Sequence, residues 1–463
     1  MTEQLKLKLN DSKATRWGAL VIVAFTMMAA YYVNDVVAPL KTMLETDLAW
    51  SSTDFGFFTG GYSFLNVFFL MLIWGGLILD RFGIRFTGKL ATILMVGGTA
   101  LEYYAMTGLA GADATLFGIN EILGYKTGVF VAFAGYSIFG VGAEVAGITV
   151  SKIIAKWFKG KELATAMGVQ VALARIGSQA GYAVAIPLAR AFGISTPVLL
   201  GLVLLLGGMI AFFIFAVMDK KLDKQMEAAA IAAGTEDEEE KFSFKDVKNI
   251  LVNPGFWLIA LLCVLFYSCV FPFQKFASEL MIIKYGINEN VAGTFAGLPA
   301  LGALILTPVF GGFIDKRGKS ASIMLLGSAM LICVHFIYAI PDINYWLVAI
   351  VLMIILGIAF SLVPSAMWPP VAKIFPVSQL GTAYALIFFI QNIGLWGIPT
   401  LIGWVLDAYC ISGKKPDGTN MYDYTVPMCI FTGIACLSLI VALLLKKADK
   451  KYGYKLEEPN IQK

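Results

Sequence analysis

Five ionisable residues lie well inside long apolar stretches of the chain: Asp35, Glu102, Glu144, Arg175 and Lys275. A charged side chain at the centre of a membrane costs about 2.5–3.5 kcal/mol on insertion scales, so it usually marks a binding site, an ion pair or a proton pathway. A guanidinium binds a carboxylate through two parallel hydrogen bonds, and a carboxylate accepts hydrogen bonds from an ammonium. These residue types therefore favour recognition of a small charged solute.

Arg175 carries the strongest signal, because it interrupts the apolar stretch GVQVALARIGSQAGYAVAIPLA at 168–189. It lies about 12 residues into its helix, which places it about 18 Å from one end and near the middle of a membrane. Ser178, Gln179 and Tyr182 follow at i+3, i+4 and i+7, on the same helix face. We expect this stripe to face a wet cavity or a neighbouring helix, and we include all four residues in the predicted binding set.

Glu144, in the preceding apolar stretch, is the expected partner of Arg175. Helical rise places it about 6 Å lower in the membrane, a gap that an arginine side chain spans. Gly140 and Gly147 flank it and allow a helix or a ligand to approach closely. Two interpretations stay open: an ion pair that only orders two helices, or a cavity pair. In the second, Arg175 receives a substrate carboxylate, while Glu144 receives an ammonium or holds Arg175 when the site is empty.

Six further residues complete the predicted binding set. The segment YYVND at 31–35 lies at the outer end of the first apolar stretch. Three interpretations stay open for it: a gate, a wall of the site, or a plain helix end. Lys275 follows Pro272, which can kink a helix and free backbone carbonyls. Trp368 precedes two prolines. Its role as part of a helix kink, as a gate or as a ring that stacks on the substrate stays open. Glu102 is expected to be peripheral. The added residues are Tyr31, Asn34, Asp35, Lys275, Trp368 and Asn392.

The composition is that of a polytopic α-helical membrane protein. Hydrophobic residues make up 59% of the 463 residues, charged residues only 14%, and the mean hydropathy is +0.78. A soluble domain is about one quarter charged. The net charge of only +4 gives no indication of nucleic-acid binding.

A hydropathy window of about 19 residues predicts twelve transmembrane helices in two six-helix repeats. The predicted domains are an N-terminal bundle (1–217), a cytoplasmic linker (218–254) and a C-terminal bundle with its tail (255–463). We expect the linker to be a solvated, partly helical tether, with a regulatory docking site as the alternative. The predicted spans are 17–38, 55–79, 90–108, 127–150, 163–188, 196–217, 255–283, 291–314, 321–340, 345–372, 380–405 and 427–446.

The distribution of positive charge predicts the orientation. Twelve spans put both termini on one side, and that side carries 27 of the 35 Lys and Arg residues. Positive charge stays on the cytoplasmic side of a membrane. Both termini are therefore predicted to be cytoplasmic, in a cell inner (plasma) membrane.

An internal repeat supports the two halves. The segment 139–178 aligns without gaps on 356–395. Two related six-helix halves are typical of transporters that rock around a site near the membrane midplane. Arg175 aligns with Asn392, and Glu144 aligns with a serine, so the charges exist in one half only. A purely architectural pair would be expected in both halves, which favours the cavity interpretation.

Two short motifs follow the second and eighth spans: GGLILDRFGIR at 75–85 and GGFIDKRGK at 311–319. They resemble the loop motif of the major facilitator superfamily and its degenerate second copy, and the resemblance extends over essentially the whole chain. In that family the motif latches the two halves in the outward-facing state. The resemblance implies this conformational role for Gly76, Asp80, Arg81, Gly83, Arg85, Gly311, Asp315, Lys316, Gly318 and Lys319.

Six segments carry a closer resemblance: WFKGKEL (157–163), ARIGS (174–178), DRFGIR (80–85), FPF (271–273), WPPVAKIFPVSQLGTAY (368–384) and IQNIG (390–394). On these segments the sequence is most similar, within that family, to the lysosomal dipeptide transporter group called major facilitator superfamily domain-containing protein one. No acidic-dileucine sorting signal occurs in the N-terminal tail, and no glycosylation sequon occurs in the predicted external loops. We therefore expect a bacterial inner-membrane or plasma-membrane relative.

Two transport functions stay open. The first is a secondary or facilitative transporter of small zwitterionic or anionic solutes, with dipeptides favoured. The second is a proton-coupled symporter of organic anions or sugar acids, in which Glu144 or Asp35 titrates. A membrane enzyme is disfavoured, because the sequence offers no nucleophile–base pair or phosphate loop, and a non-transporting sensor is a minor alternative.

We expect no metal site, since His335 is the only histidine and has no cluster of ligands around it in the sequence. We also expect no cofactor, with a coupling proton left open. The expected partners are a small-molecule substrate and the lipid bilayer, and not nucleic acid. The chain is expected to act as a monomer, with an accessory subunit left open.

Overall fold

The computed structural model describes residues 8–111, 114–158, 161–233 and 244–459, and most of these are helical. Apolar runs of this length form helices in lipid because a helix satisfies its backbone hydrogen bonds internally. The helices are α1 (Lys13–Val36), α2 (Lys41–Asp47), α3 (Ser52–Phe68), α4 (Met71–Thr107), α5 (Thr127–Trp157), α6 (Leu163–Phe192), α7 (Thr196–Ala233), α8 (Phe244–Val252), α9 (Pro254–Tyr285), α10 (Glu289–Ala296), α11 (Leu298–Arg317), α12 (Ser320–Ala339), α13 (Trp346–Ile374), α14 (Val377–Tyr409) and α15 (Thr425–Tyr452).

Two short antiparallel hairpins lie at one end of the helices, and we call this end the hairpin face. The opposite end, where α1 begins and α15 ends, is called the terminal face. The strands of the hairpins are β1 (Glu121–Ile122) with β2 (Tyr125–Lys126), and β3 (Ile411–Lys414) with β4 (Asn420–Tyr422).

The predicted all-α membrane fold is confirmed. Within the described ranges, nine helical stretches are long and apolar enough to cross a membrane, and the α3–α4 pair, bent by 58°, makes a tenth if it is one span. α4 continues through Gly83, whose φ of 75° and ψ of 174° are not helical. It therefore contains the end of predicted span two and span three up to Thr107. α6, with its polar stripe, is outside that apolar set.

The helices pack as two sets. In the first set α1 packs on α6 and α7, and α5 packs on α3 and α4; in the second, α9 packs on α14 and α15, and α13 packs on α11 and α12. The predicted boundaries of the two domains stay a prediction. α7 runs to Ala233 and α8 lies at 244–252, so much of the predicted linker is helical, while 234–243 lie outside the described residues.

The two sets meet along α3 with α14 and along α6 with α10 and α11. The first contact is a backbone-to-backbone approach that only glycine permits. A Cβ at Gly56 would lie 2.4 Å from the carbonyl oxygen of Pro399, and one at Gly403 would lie 2.3 Å from that of Ser52. Small residues let membrane helices approach closely, so these glycines close the seam near the hairpin face.

Gly403→Ala should therefore lower the melting temperature of the purified protein, since overpacking a tight contact costs about 1–3 kcal/mol. Gly397→Ala, in the same helix, is the matched control because nothing lies within 4 Å of a Cβ at that position. The control should leave the melting temperature unchanged or raise it, because alanine is the better helix former. Equal effects of the two changes would contradict the close packing of α3 on α14.

Candidate functional site

One cavity of about 1170 Å³ lies between the two helix sets. Asp80, Ser151 and Val247 line its mouth on the terminal face, and Lys275 lies at its closed end. The volume exceeds the roughly 300–1,000 Å³ of ordinary ligand pockets. Seven residues of the predicted binding set line it: Tyr31, Asn34, Glu144, Arg175, Lys275, Trp368 and Asn392.

Arg175 lies on the cavity wall between two aromatic rings. Its guanidinium carbon is 5.5 Å from the ring centroid of Tyr31, in the first helix set, and 4.9 Å from that of Phe360, in the second. Such cation–π contacts contribute about 0.5–2 kcal/mol. Among the described residues Arg175 has no ion pair and no hydrogen bond. The guanidinium is thus positioned by rings, and its hydrogen-bond donors remain available.

Glu144 faces the same cavity but does not pair with Arg175 among the described contacts. Its Oε1 accepts a hydrogen bond of 3.0 Å from the hydroxyl of Tyr62 on α3. A Cβ at Gly140 would lie 2.0 Å from the carbonyl oxygen of Tyr62, so this glycine admits α3 to the carboxylate. In the part of the chain that the structure describes, a tyrosine hydroxyl therefore takes the place of the expected ion pair.

The closed end of the cavity is a polar cluster that joins the two helix sets. Lys275 Nζ, on α9, lies 3.2 Å from Asp35 Oδ1 and 2.6 Å from the carbonyl oxygen of Asn34, both on α1. The hydroxyl of Tyr136 donates to the same carbonyl at 2.8 Å. Asp35 does not line the cavity, and it lies directly behind Lys275.

The second helix set contributes an aromatic wall. The rings of Tyr267 and Phe271 stack with centroids 5.5 Å apart, and those of Trp368 and Phe388 are 5.0 Å apart. Sequence reasoning identified Trp368 and overlooked the other three rings, because single aromatic residues in apolar helices carry no distinguishing pattern. The resemblance segment FPF, which contains Phe271, was the available signal. Asn392 also lines this side of the cavity.

The remaining residues of the polar stripe do not reach the cavity. The amide of Gln179 donates to the carbonyl of Thr294 at 3.3 Å, and a Cβ at Gly293 would lie 2.3 Å from the carbonyl oxygen of Tyr182. Ser178 is also buried and outside the cavity lining. The stripe therefore faces α10, the neighbouring helix, beyond Arg175, and the part of these three residues in binding stays a prediction.

Glu102 is fully buried in α4 and does not line the cavity. Neither of its carboxylate oxygens has a hydrogen-bond partner within the described ranges. His335, the single histidine, is also buried, and its Nε2 lies 3.0 Å from the carbonyl oxygen of Cys269. The described residues contain no group of ligands that would hold a metal ion.

The first copy of the loop motif forms its contacts inside the first helix set. Asp80 pairs with Lys152 of α5 at 3.1 Å, and Arg85 pairs with Asp223 of α7 at 3.0 Å. Gly76 lines the cavity mouth, and Arg81 lies over its neighbouring ring, Phe82, at 5.5 Å. Across the described ranges, no ion pair joins this copy to the second set. The latch role stays a prediction, and in this structure the terminal face is open.

The second copy of the motif holds the C-terminal tail. Gly318 and Lys319, with φ of 70° and 67°, form the turn between α11 and α12, and Asp315 and Lys316 lie in the last turn of α11. The backbone N–H of Lys319 donates to the carbonyl of Glu457 at 3.0 Å. A Cβ at Gly318 would lie 2.4 Å from that oxygen, so the glycine is needed for the tail to dock.

Asp219 is the buried centre of the charge network behind the first motif copy. It accepts hydrogen bonds from Lys156 at 2.8 Å and from the indole N–H of Trp157 at 2.9 Å. Asp223, one turn further along α7, contacts the same lysine at 2.5 Å but is 39% exposed. The two carboxylates share partners and differ in burial.

Asp219→Asn should lower the melting temperature, because it removes the charge from the buried acceptor of two hydrogen bonds, and a hydrogen bond to a charged group contributes about 1.5–3 kcal/mol. Asp223→Asn removes an exposed pair, which contributes about 0–1 kcal/mol, so it should change the melting temperature little. Thermal unfolding of both variants measures the difference. A larger loss in Asp223→Asn would contradict the central position of Asp219.

Comparisons with known proteins agree with this geometry. Residues 20–398 and 276–458 match the family model described as Major Facilitator Superfamily. The Homo sapiens protein named lysosomal dipeptide transporter MFSD1 is 29% identical over 454 residues, which cover 95% of this chain and 88% of the relative. The Danio rerio protein of that name is 26% identical over 441 residues, covering 93% and 86%.

Solved structures show the same fold at low identity. A point mutant of the nucleoside transporter NupG superposes with a TM-score of 0.68 at 12% identity, covering 92% of this chain and 98% of that one. The inward open conformation of the xylose transporter XylE from E. coli gives a TM-score of 0.64 at 15% identity, covering 93% and 96%.

Proposed function

Because the chain belongs to the Major Facilitator Superfamily, we propose that it transports small zwitterionic solutes, with dipeptides favoured, by alternating access of one cavity. It is a transporter and a multi-pass membrane protein, not an enzyme. The observation that carries the proposed substrate class is the pair of opposite charges on the cavity wall, Arg175 and Glu144, which face the same space without pairing.

Arg175 supplies the site for a carboxylate. A guanidinium near the membrane centre without a carboxylate partner is costly. Its planar set of donors matches a carboxylate with two parallel hydrogen bonds, and Lys does not reproduce this geometry. The rings of Tyr31 and Phe360 fix the guanidinium while leaving those donors open to the cavity.

Glu144 supplies the site for an ammonium. Tyr62 occupies Oε1, and a carboxylate has further lone pairs for an incoming donor. A zwitterion presents one carboxylate and one ammonium, so it satisfies both wall charges at once. The aromatic wall across the cavity offers apolar contact to side chains of differing size, as a transporter of many dipeptides requires. The MFSD1 relatives, named as dipeptide transporters, support the same substrate class.

A proton-coupled symporter of organic anions or sugar acids is the second candidate. Glu144 has only a hydroxyl as its partner among the described contacts, which suits a carboxyl that takes up a proton. Asp35, the other predicted coupling residue, is engaged by Lys275. A cytoplasmic location of both termini in a plasma membrane stays a prediction from the positive charges, and the relatives are named as lysosomal.

Three ligands test the proposed site in a thermal-shift assay: alanyl-alanine, its N-acetyl form and its C-terminal amide. Ligand binding to the folded state raises the melting temperature. Wild-type protein should bind the free dipeptide about 10–100-fold more tightly than either blocked form, since a hydrogen bond to a charged group contributes about 1.5–3 kcal/mol. Equal shifts for all three would refute recognition of a zwitterion.

The variants assign the two ends of the ligand. Glu144→Gln should lose the discrimination between the free and the N-acetylated dipeptide, and Arg175→Lys should lose that between the free dipeptide and the amide. Arg190→Lys, in the same helix but exposed beside Glu289, and Glu102→Gln, away from the cavity, are the matched controls. Normal discrimination in Arg175→Lys would refute its role.

Transport in proteoliposomes separates the two candidates. A dipeptide uniporter should show counterflow without a proton gradient, and no accumulation when a gradient is imposed. The symporter should accumulate substrate along the gradient, and Glu144→Gln should abolish this accumulation. Accumulation along the proton gradient that persists in Glu144→Gln would exclude Glu144 as an obligatory coupling group.

A further inference from the structure

We propose that Lys41, Glu45, Glu279 and Lys415 form the gate that closes the hairpin face, and that the gate opens by an exchange of ion-pair partners. This proposal rests on the alternating access proposed above. The four residues lie beyond the closed end of the cavity, and none of them lines it.

Lys41 is the bridge between the two helix sets. Its Nζ lies 2.5 Å from Glu45 Oε1, in the same short helix α2, and 2.5 Å from Glu279 Oε2 on α9. All three residues are at least nine-tenths buried, with Lys41 1% exposed. The hydroxyl of Tyr424 also donates to Glu279. One buried cation is thus shared between a carboxylate of its own set and a carboxylate of the other set.

Lys415 completes the cluster from the loop of the β3–β4 hairpin. Its Nζ lies 3.6 Å from Glu45 Oε2 and 3.6 Å from Glu279 Oε1. Within the described ranges none of these three atoms has a hydrogen-bond partner, although all are buried. The second cation is therefore placed equally between the two carboxylates and committed to neither.

Each helix set carries one complete ion pair. Lys41 and Glu45 belong to the first set, and Glu279 and Lys415 belong to the second. In this structure the pairs are crossed, since Lys41 also binds Glu279 and Lys415 also approaches Glu45. When the sets separate at this face, each carboxylate retains the lysine of its own set. Opening then leaves neither carboxylate without a cation.

The surrounding seam supports a gate at this position. Asp407, on α14, accepts hydrogen bonds from the backbone N–H groups of Ser52 at 3.3 Å and Thr53 at 2.6 Å, which begin α3. The hydroxyl of Tyr422, in β4, donates to the same carboxylate at 2.7 Å, while its ring lies 4.7 Å from Lys41 Nζ. The hairpin therefore joins the ionic cluster to the closed α3–α14 seam.

Two double variants test the exchange of partners. Lys41→Met/Glu45→Gln removes the pair of one set and leaves Glu279 with Lys415. Lys41→Met/Glu279→Gln removes a pair across the seam and leaves Glu45 with Lys415. The remaining ions are 3.6 Å apart in both variants. Only the second variant must separate its remaining pair on opening.

The readout is the distance between spin labels on cysteines introduced at Thr46 and Asp342, in a background with the six native cysteines replaced. Both positions are exposed, near the hairpin face, and in opposite helix sets. No substrate is added. The ratio of open to closed distances should be about tenfold higher or more in the same-set variant than in the cross-set variant, since separating a buried pair is strongly unfavourable.

Equal ratios in the two variants would overturn the exchange of partners and leave the cluster a static contact. If either variant does not fold, the charge reversal Lys41→Glu/Glu279→Lys replaces it. This change keeps the ion pair between positions 41 and 279 across the seam. When the sets separate, however, it leaves two acidic residues together in the first set and two basic residues together in the second. Its ratio of open to closed distances should be lower than that of wild type, and a ratio equal to or higher than that of wild type would overturn the proposal. Failure of dipeptides to bind would leave these distances unaffected, so the two proposals fail separately.

Discussion

A charge inside a membrane has to be matched by an opposite charge, by dipoles or by water, and this requirement organises much of the structure. The Lys275–Asp35 pair meets it at the closed end of the cavity. At the cavity wall Arg175 and Glu144 face open space instead. These two charges have no ion-pair partner among the described residues and lie where a ligand can reach them, which is the physical basis for assigning a site.

The helices and the positions of the charges were predictable from sequence, because both follow from local properties. A long apolar run has one stable backbone structure in lipid. A charge such as Arg175 near the middle of such a run has few alternatives to a polar cavity. The predicted fold class is confirmed, and seven predicted residues, Arg175 and Glu144 among them, line one cavity.

The partners of those charges were not predictable, because they depend on which helices meet and at what height. Glu144 is met by Tyr62 of α3, through the close approach at Gly140, and not by the arginine one helix further along the chain. Gln179 lies on the same helix face as Arg175 but one turn further along α6, where its side-chain amide contacts α10. Helix periodicity predicts which residues share a helix face. It does not predict which turns of that face border the cavity, and here the cavity occupies only part of the face.

The two walls of the cavity differ in kind, and this difference has a consequence for transport. The opposite charges Arg175 and Glu144 both belong to the first helix set, while the aromatic wall belongs to the second. A zwitterion held by both charges would stay with the first set while the second set rocks across it. The rings impose no directional bonds that must break during the motion. The directional interactions between the sets are instead concentrated at the polar cluster of Lys275 with Asp35 and at the hairpin face, where crossed ion pairs close the seam.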